Sequence, residues 1–264
     1  ELLAIADEVP PRSATETGDR TYMYDEWDGA LCDYRPRWCR VVERSAEAGT
    51  IDFAEGVLAE YGSSVKVLRR YFEALRPEAL KRVYGETDGD ELDLDAVIRR
   101  AADQLAGAEP SDRLYVKRVK RARSVAVAFL VDLSGSTSRQ VETSGRRVID
   151  VEKAGLVLLS EALEAIGDAY AVYGYSGQGR DQVDFVRVKD FQEQGAAASM
   201  RRIGGIHPRG QNRDGAAIRH AVRKLIDQPA RVKLLILLSD GKPLDEAYAD
   251  EYALEDTKMA LREA

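Results

Sequence analysis

The sequence predicts an α/β fold: a doubly wound, mostly parallel sheet with helices on both faces, preceded by a mainly helical extension. Three observations predict it. Ser124-Val125-Ala126-Val127-Ala128-Phe129-Leu130-Val131 is apolar, valine-rich and of strand length, the pattern of a strand buried on both faces of a parallel sheet. A second such run, Val232–Leu238, lies far downstream. Between them helical and strand patterns alternate, which argues for right-handed β-α-β crossovers.

Taken in order, residues 1–50 form an arm expected to pack on the main domain. Pro10-Pro11 and the polar stretch Ser13 to Arg20 read as a loop. Both tryptophans, Trp27 and Trp38, follow among tyrosines and acids, as anchors or as a docking peptide. Residues 51–110 are expected to be a helical extension. Phe53, Val57, Leu58, Tyr61, Val65, Leu68 and Phe72 recur at helical spacing, with Gly62 a potential break. Pro77 suits the first turn of a second helix, Glu78 to Tyr84. A third is expected from Leu92 to Leu105, capped near Asp93 or Asp95. Residues 111–264 form the main domain: a basic strand within Arg113 to Arg123, leading into the buried run; a helix from Val148 to Ile166, ended by Gly167; strands Ala169 to Tyr175 and Val183 to Val188; helices Ala196 to Ile203 and Asp214 to Ile226; strand Val232 to Leu238; and a last helix, about Glu246 to Glu263. The main domain is expected to lack its final strand and helix.

Composition narrows the function. With 39 basic against 46 acidic residues the net charge is −7, which disfavours broad binding to nucleic acid or anionic membranes. No apolar run approaches the roughly 20 residues that span a bilayer, and Glu1-Leu2-Leu3-Ala4-Ile5 is not a signal peptide. A first residue other than Met is expected of a piece of a longer protein. Cys32 and Cys39 have no second pair, and His207 and His220 lie far from them in sequence, so neither a zinc site nor a disulfide framework is expected. A cytoplasmic location follows as the expectation.

The chemistry gathers where the buried runs end. Asp132, Ser134 and Ser136 follow the first, and Ser239-Asp240-Gly241 the second, while the loop before the Asp214 helix offers Asn212. In a parallel sheet such loops meet outside the carboxyl ends of the strands. The candidate metal ligands are therefore Asp132, Ser134, Ser136, Asn212 and Asp240, with Asp214 as a further candidate. Short, hard oxygen donors suit Mg2+ or Mn2+ rather than zinc. Neutral hydroxyl and amide donors leave the ion electrophilic, ready for a carboxylate from another protein.

Asp132-Leu133-Ser134-Gly135-Ser136 resembles the Asp-x-Ser-x-Ser signature of von Willebrand factor A (vWA) domains. In that family a metal-ion-dependent adhesion site is completed by a threonine loop and a later aspartate, here Asn212-Arg213-Asp214-Gly215 and Asp240. Asparagine at the threonine position departs from the pattern. The chain also resembles the NorD/CbbO group of vWA proteins in Tyr24-Asp25-Glu26-Trp27-Asp28, Gly145-Arg146-Arg147-Val148-Ile149-Asp150, Val188-Lys189-Asp190-Phe191, Gly215 to Ala221 and Glu255-Asp256-Thr257. The resemblance implies a non-catalytic adaptor that couples a MoxR-type AAA+ ATPase to a client enzyme complex, through nitric oxide reductase-like activation or Rubisco-like reactivation. The alternatives are an adhesion-type vWA ligand-binding domain and a metal-dependent hydrolase. Against the hydrolase, Ser134 stands where aspartyl-phosphate enzymes need a second carboxylate, and neither a nucleophile elbow nor a phosphate-binding Gly-x-x-x-x-Gly-Lys-Ser/Thr loop is present.

Overall fold

The computed structural model describes residues 19–74, 80–120, 124–143 and 145–264. The elements are β1 (Arg20–Asp28), β2 (Asp33–Ser45), α1 (Asp52–Ala74), β3 (Leu80–Glu86), β4 (Glu91–Leu92), α2 (Leu94–Leu105), β5 (Tyr115–Lys120), β6 (Val125–Asp132), α3 (Val148–Ile166), β7 (Ala169–Gly177), β8 (Val183–Lys189), α4 (Ala196–Gly205), α5 (Asp214–Ile226), β9 (Val232–Leu238) and α6 (Asp250–Glu263). A 3-10 turn, Gly135–Ser138, follows β6.

The large sheet has the order β1-β2-β8-β7-β6-β9. β6 is parallel to both β7 and β9, and β2 is parallel to β8, whereas β7 and β8 form an antiparallel hairpin. All eight residues of β6 are buried, and their alternation divides the core. Val125, Val127, Phe129 and Val131 face one layer with α1, α3 and α4, while Ala126, Ala128 and Leu130 face the other with α5 and α6. On that second face, alanines of the strand meet Ala216, Ala217 and Ala221 of α5, so little side-chain bulk stands between helix and sheet.

Several expectations are corrected. The aromatic arm is not a peptide lying on the domain. Its residues form β1 and β2, which extend the sheet beyond β8, and Glu26, Cys39, Val41 and Glu43 are buried. The second helix, expected at Glu78 to Tyr84, is instead the strand β3, paired antiparallel with β5. Pro77 and the stretch before Asp19 lie outside the described residues. The basic strand β5, expected in the main domain, belongs to a separate three-stranded sheet, β3-β5-β4. Gly62 does not break α1, and α6 starts at Asp250, later than expected. Asp93 caps α2, accepting from the amides of Asp95 and Ala96 at 3.1 and 3.2 Å. The compact units also differ from a division at residues 50 and 110. One contains the chain up to Phe72 together with Ser124–Ala264, and the other is Glu73–Arg123. The reason is α1, whose buried Ala54, Val57 and Phe72 belong to the core of the large sheet. No helix among the described residues is long and apolar enough to cross a membrane.

Candidate metal centre

β6 ends by placing Asp132, fully buried, at the carboxyl edge of the sheet. The turn that follows is held by its own polar groups. The Ser134 amide donates to Asp132 Oδ1 at 2.7 Å, and the Thr137 hydroxyl donates to the Ser134 carbonyl at 2.8 Å. Backbone bonds then draw in the loop before α5. The Gly135 amide reaches the Gly210 carbonyl at 3.0 Å, and the Arg209 amide reaches the Leu133 carbonyl at 2.6 Å. Gly210 has φ +60°, and a Cβ there would stand 2.6 Å from the Gly177 carbonyl oxygen, so this approach requires glycine. The loop after β9 joins through the Asn212 amide and the Leu244 carbonyl, 3.0 Å apart.

The side chains meet accordingly. Ser134 Oγ and Ser136 Oγ are 2.8 Å apart, and Ser136 Oγ donates to Asp240 Oδ1 at 2.8 Å. Adjacent corners of an octahedron with magnesium–oxygen bonds of about 2.1 Å lie about 3.0 Å apart, so these three oxygens are spaced to share one hard cation. Asp240 Oδ2 is buried and has no hydrogen-bond partner among the described residues; the exposed Arg139 guanidinium stands 3.9 Å away. Burial raises the Asp132 pKa, and the charge of Asp240 adds to that rise, against hydrogen bonds from Ser134 and Asn212. A negative pair with a spare, desolvated oxygen fits a divalent cation. Ser134, Ser136 and Asp240 would hold it, with Asp132 behind them.

Asn212 arrives at the site but in a different posture. Its Nδ2 donates to Asp132 Oδ2 at 2.7 Å, and its Oδ1 accepts from the Leu244 amide at 2.7 Å. The reversed amide would set a donor against a donor and an acceptor against an acceptor, so the network fixes the assignment. Asn212 therefore positions Asp132 and ties down the loop after β9, and its oxygen is engaged by backbone. Asp214 is buried and accepts from the Tyr175 hydroxyl at 2.9 Å. Burial pushes its pKa up to about 7, with the charges of Asp132 and Asp256 contributing, while the Tyr175 hydrogen bond opposes the rise.

Sequence reasoning missed a second buried cluster behind the same loops. Arg213, adjacent to Asn212, is fully buried: Nε donates to Asp245 Oδ2 at 3.0 Å, Nη1 to Glu26 Oε2 at 2.6 Å and Nη2 to the Glu246 carbonyl at 2.8 Å. Asp245 Oδ1 in turn accepts from the Gly179 amide at 2.8 Å. Nothing short-range announces this cluster, because Glu26 comes from β1 and Asp245 from the loop after β9. Gly215 had a clearer signal in the family pattern. A Cβ there would lie 1.9 Å from Asp256 Oδ2, a carboxylate that accepts from the Trp27 amide and the Tyr248 hydroxyl.

The fold and site define a class, and comparison with known proteins agrees. Residues 126–262 match the von Willebrand factor type A domain, and the chain belongs to that family. It is 38% identical over 265 residues to Protein NorD of Brucella suis, covering 97% of this chain and 40% of that protein. To Protein NorD of Stutzerimonas stutzeri it is 36% identical over 198 residues, covering 75% and 32%. The chain thus spans about 40% of the length of the first of these relatives, and it is a vWA protein of the NorD type.

Proposed function

We propose that the chain is a non-catalytic adaptor that grips an acidic side chain of a partner through Mg2+ or Mn2+ at this centre. In this reading it couples a MoxR-type AAA+ ATPase to a client enzyme complex in the cytoplasm, for nitric oxide reductase-like activation or Rubisco-like reactivation. One observation carries the reading: two carboxylates and two serine hydroxyls converge at the sheet edge, with the Asp240 oxygen left unpartnered. A bound ion would supply an open coordination position that a carboxylate from outside matches. The chain's own residues do the rest. Asn212 and the Ser134 amide hold Asp132 still, and the serine hydroxyls add donors without adding charge. His220 supports the non-catalytic reading. It is buried, with the Tyr24 hydroxyl on Nδ1 at 2.7 Å and Glu43 on Nε2 at 3.0 Å, so it is committed to the interior.

The test measures ATPase stimulation by the client, with Mg2+ present, in wild type, Asp132→Ala and Ser136→Ala. Both variants should fold and lose stimulation by tenfold or more, on the order of a lost charged contact. Normal stimulation by both variants would sink the metal-grip reading.

A further inference from the structure

Buried polar oxygens without partners are rare enough that each calls for a cause. Besides Asp240 Oδ2, one of them is Glu152 Oε2. Glu152 sits early in α3, three residues after Ile149 and four before Leu156, both fully buried, so it shares the inward face of the helix. α3 packs against the 3-10 turn that carries Ser136. Burial opposes the ionisation of Glu152 most, and the charges of Asp132 and then Asp240 add to it. Among the described residues, no lysine or arginine is among the groups that act on it.

A glutamate on an inward helix face, near Asp132 and Asp240 and with no cation acting on it among the described residues, either keeps its proton or calls for a cation when ionised. Nothing in the Asp-x-Ser-x-Ser pattern calls for it. Among the described residues no three His, Cys, Asp or Glu side chains converge as a direct ligand set, so Glu152 stands outside the ring formed by Ser134, Ser136 and Asp240. Ser136 in that ring is exposed, and hard cations of this size keep bound waters whose hydrogens need acceptors. We propose that Glu152 is an outer carboxylate of the metal centre, strengthening cation binding by accepting hydrogen bonds from water on the ion. This rests on the metal reading of Asp132, Ser134, Ser136 and Asp240.

The experiment titrates Mn2+ into the chain, following free Mn2+ by electron paramagnetic resonance, for wild type, Glu152→Gln and Glu152→Leu. Thermal midpoints are recorded without added metal. Glu152→Gln keeps shape and removes charge, and should weaken Mn2+ binding about tenfold, the low end for outer partners of a metal site. Glu152→Leu should weaken it further, and neither should lower the metal-free midpoint. Wild-type affinity in both variants overturns the role of Glu152 and leaves the metal centre standing. Weaker binding that tracks a lowered metal-free midpoint also overturns it, in favour of a structural role. A wild-type chain that takes up no Mn2+ removes the metal centre, and with it the role of Glu152.

Discussion

Two buried polar clusters sit at the same end of the sheet, and they are built on opposite principles. Around Arg213 every charge is answered: one guanidinium, 2% exposed, spans Glu26 and Asp245 and finishes on a backbone carbonyl. Around Asp132 the charges are all of one sign. The nearby cation, Arg139, is 71% exposed and 3.9 Å from its carboxylate, a pairing worth little. A cluster that satisfies itself is a clamp, holding the loop that carries Asn212 against β1. A cluster that leaves carboxylate oxygens desolvated and unpartnered among the described residues is the one proposed above as a receptor for a cation.

The largest effect should come from breaking the clamp. Arg213→Met strands Glu26 and Asp245, and removing one partner of a buried ion pair costs about 3–5 kcal/mol. Equilibrium denaturation in urea should read a loss of that size; a loss below about 1 kcal/mol would mean that the clamp is not structural. The same kind of change at the other cluster should behave differently. Asp240→Asn removes a charge from a like-signed pair, so metal-free stability should hold within about 1 kcal/mol. What should vanish is the stabilisation by cation, which for wild type at a hundred times the dissociation constant is about 2.7 kcal/mol. Equal cation-dependent stabilisation in Asp240→Asn would erase the distinction drawn between the two clusters.

The cluster around Asp132 is far more legible in sequence than the clamp. Asp132, Ser134 and Ser136 follow one buried strand and Asp240 follows another, so strand pattern and motif together bring them to one edge. The clamp joins Glu26, Arg213 and Asp245, whose meeting depends on the hairpin β1–β2 adding to the sheet beyond β8. Its strands read as an aromatic arm because Arg35, Pro36 and Arg37 interrupt the apolar pattern of β2. For the helix expected from Glu78 to Tyr84 on the strength of Pro77, the local signal lost to the pairing of Leu80–Glu86 with β5, a contact no local pattern encodes. The posture of Asn212 is not legible in sequence, since the orientation of an amide is set by partners such as the Leu244 amide.

A comparison that needs no mutation is the response to pH, which separates the unpaired acids near Asp132 from a paired one. Glu152 is raised to about 8, by burial first and then by Asp132 and Asp240, and Asp214 to about 7. A carboxyl whose folded pKa exceeds its unfolded value holds a proton that the unfolded chain has released. The cation-free chain should therefore gain stability as pH falls from about 8 toward 4.5, by at most about 1.4 kcal/mol per pH unit for each group, and less for the partly exposed Glu152. A satisfied acid elsewhere in the same unit has the opposite sign. Burial would raise Glu43, but the His220 hydrogen bond and Lys224 bring it down to about 2. Its contribution is present above 4.5 and is lost as pH falls from there toward 2. Thermal midpoints from pH 8.5 to 3 should thus rise and then drop without added metal. Saturating Mg2+ should flatten the rise and leave the acid drop in place, because only the receptor has charge for the ion to answer. A rise that persists unchanged in Mg2+ would place the raised carboxyls outside the reach of any cation at this centre.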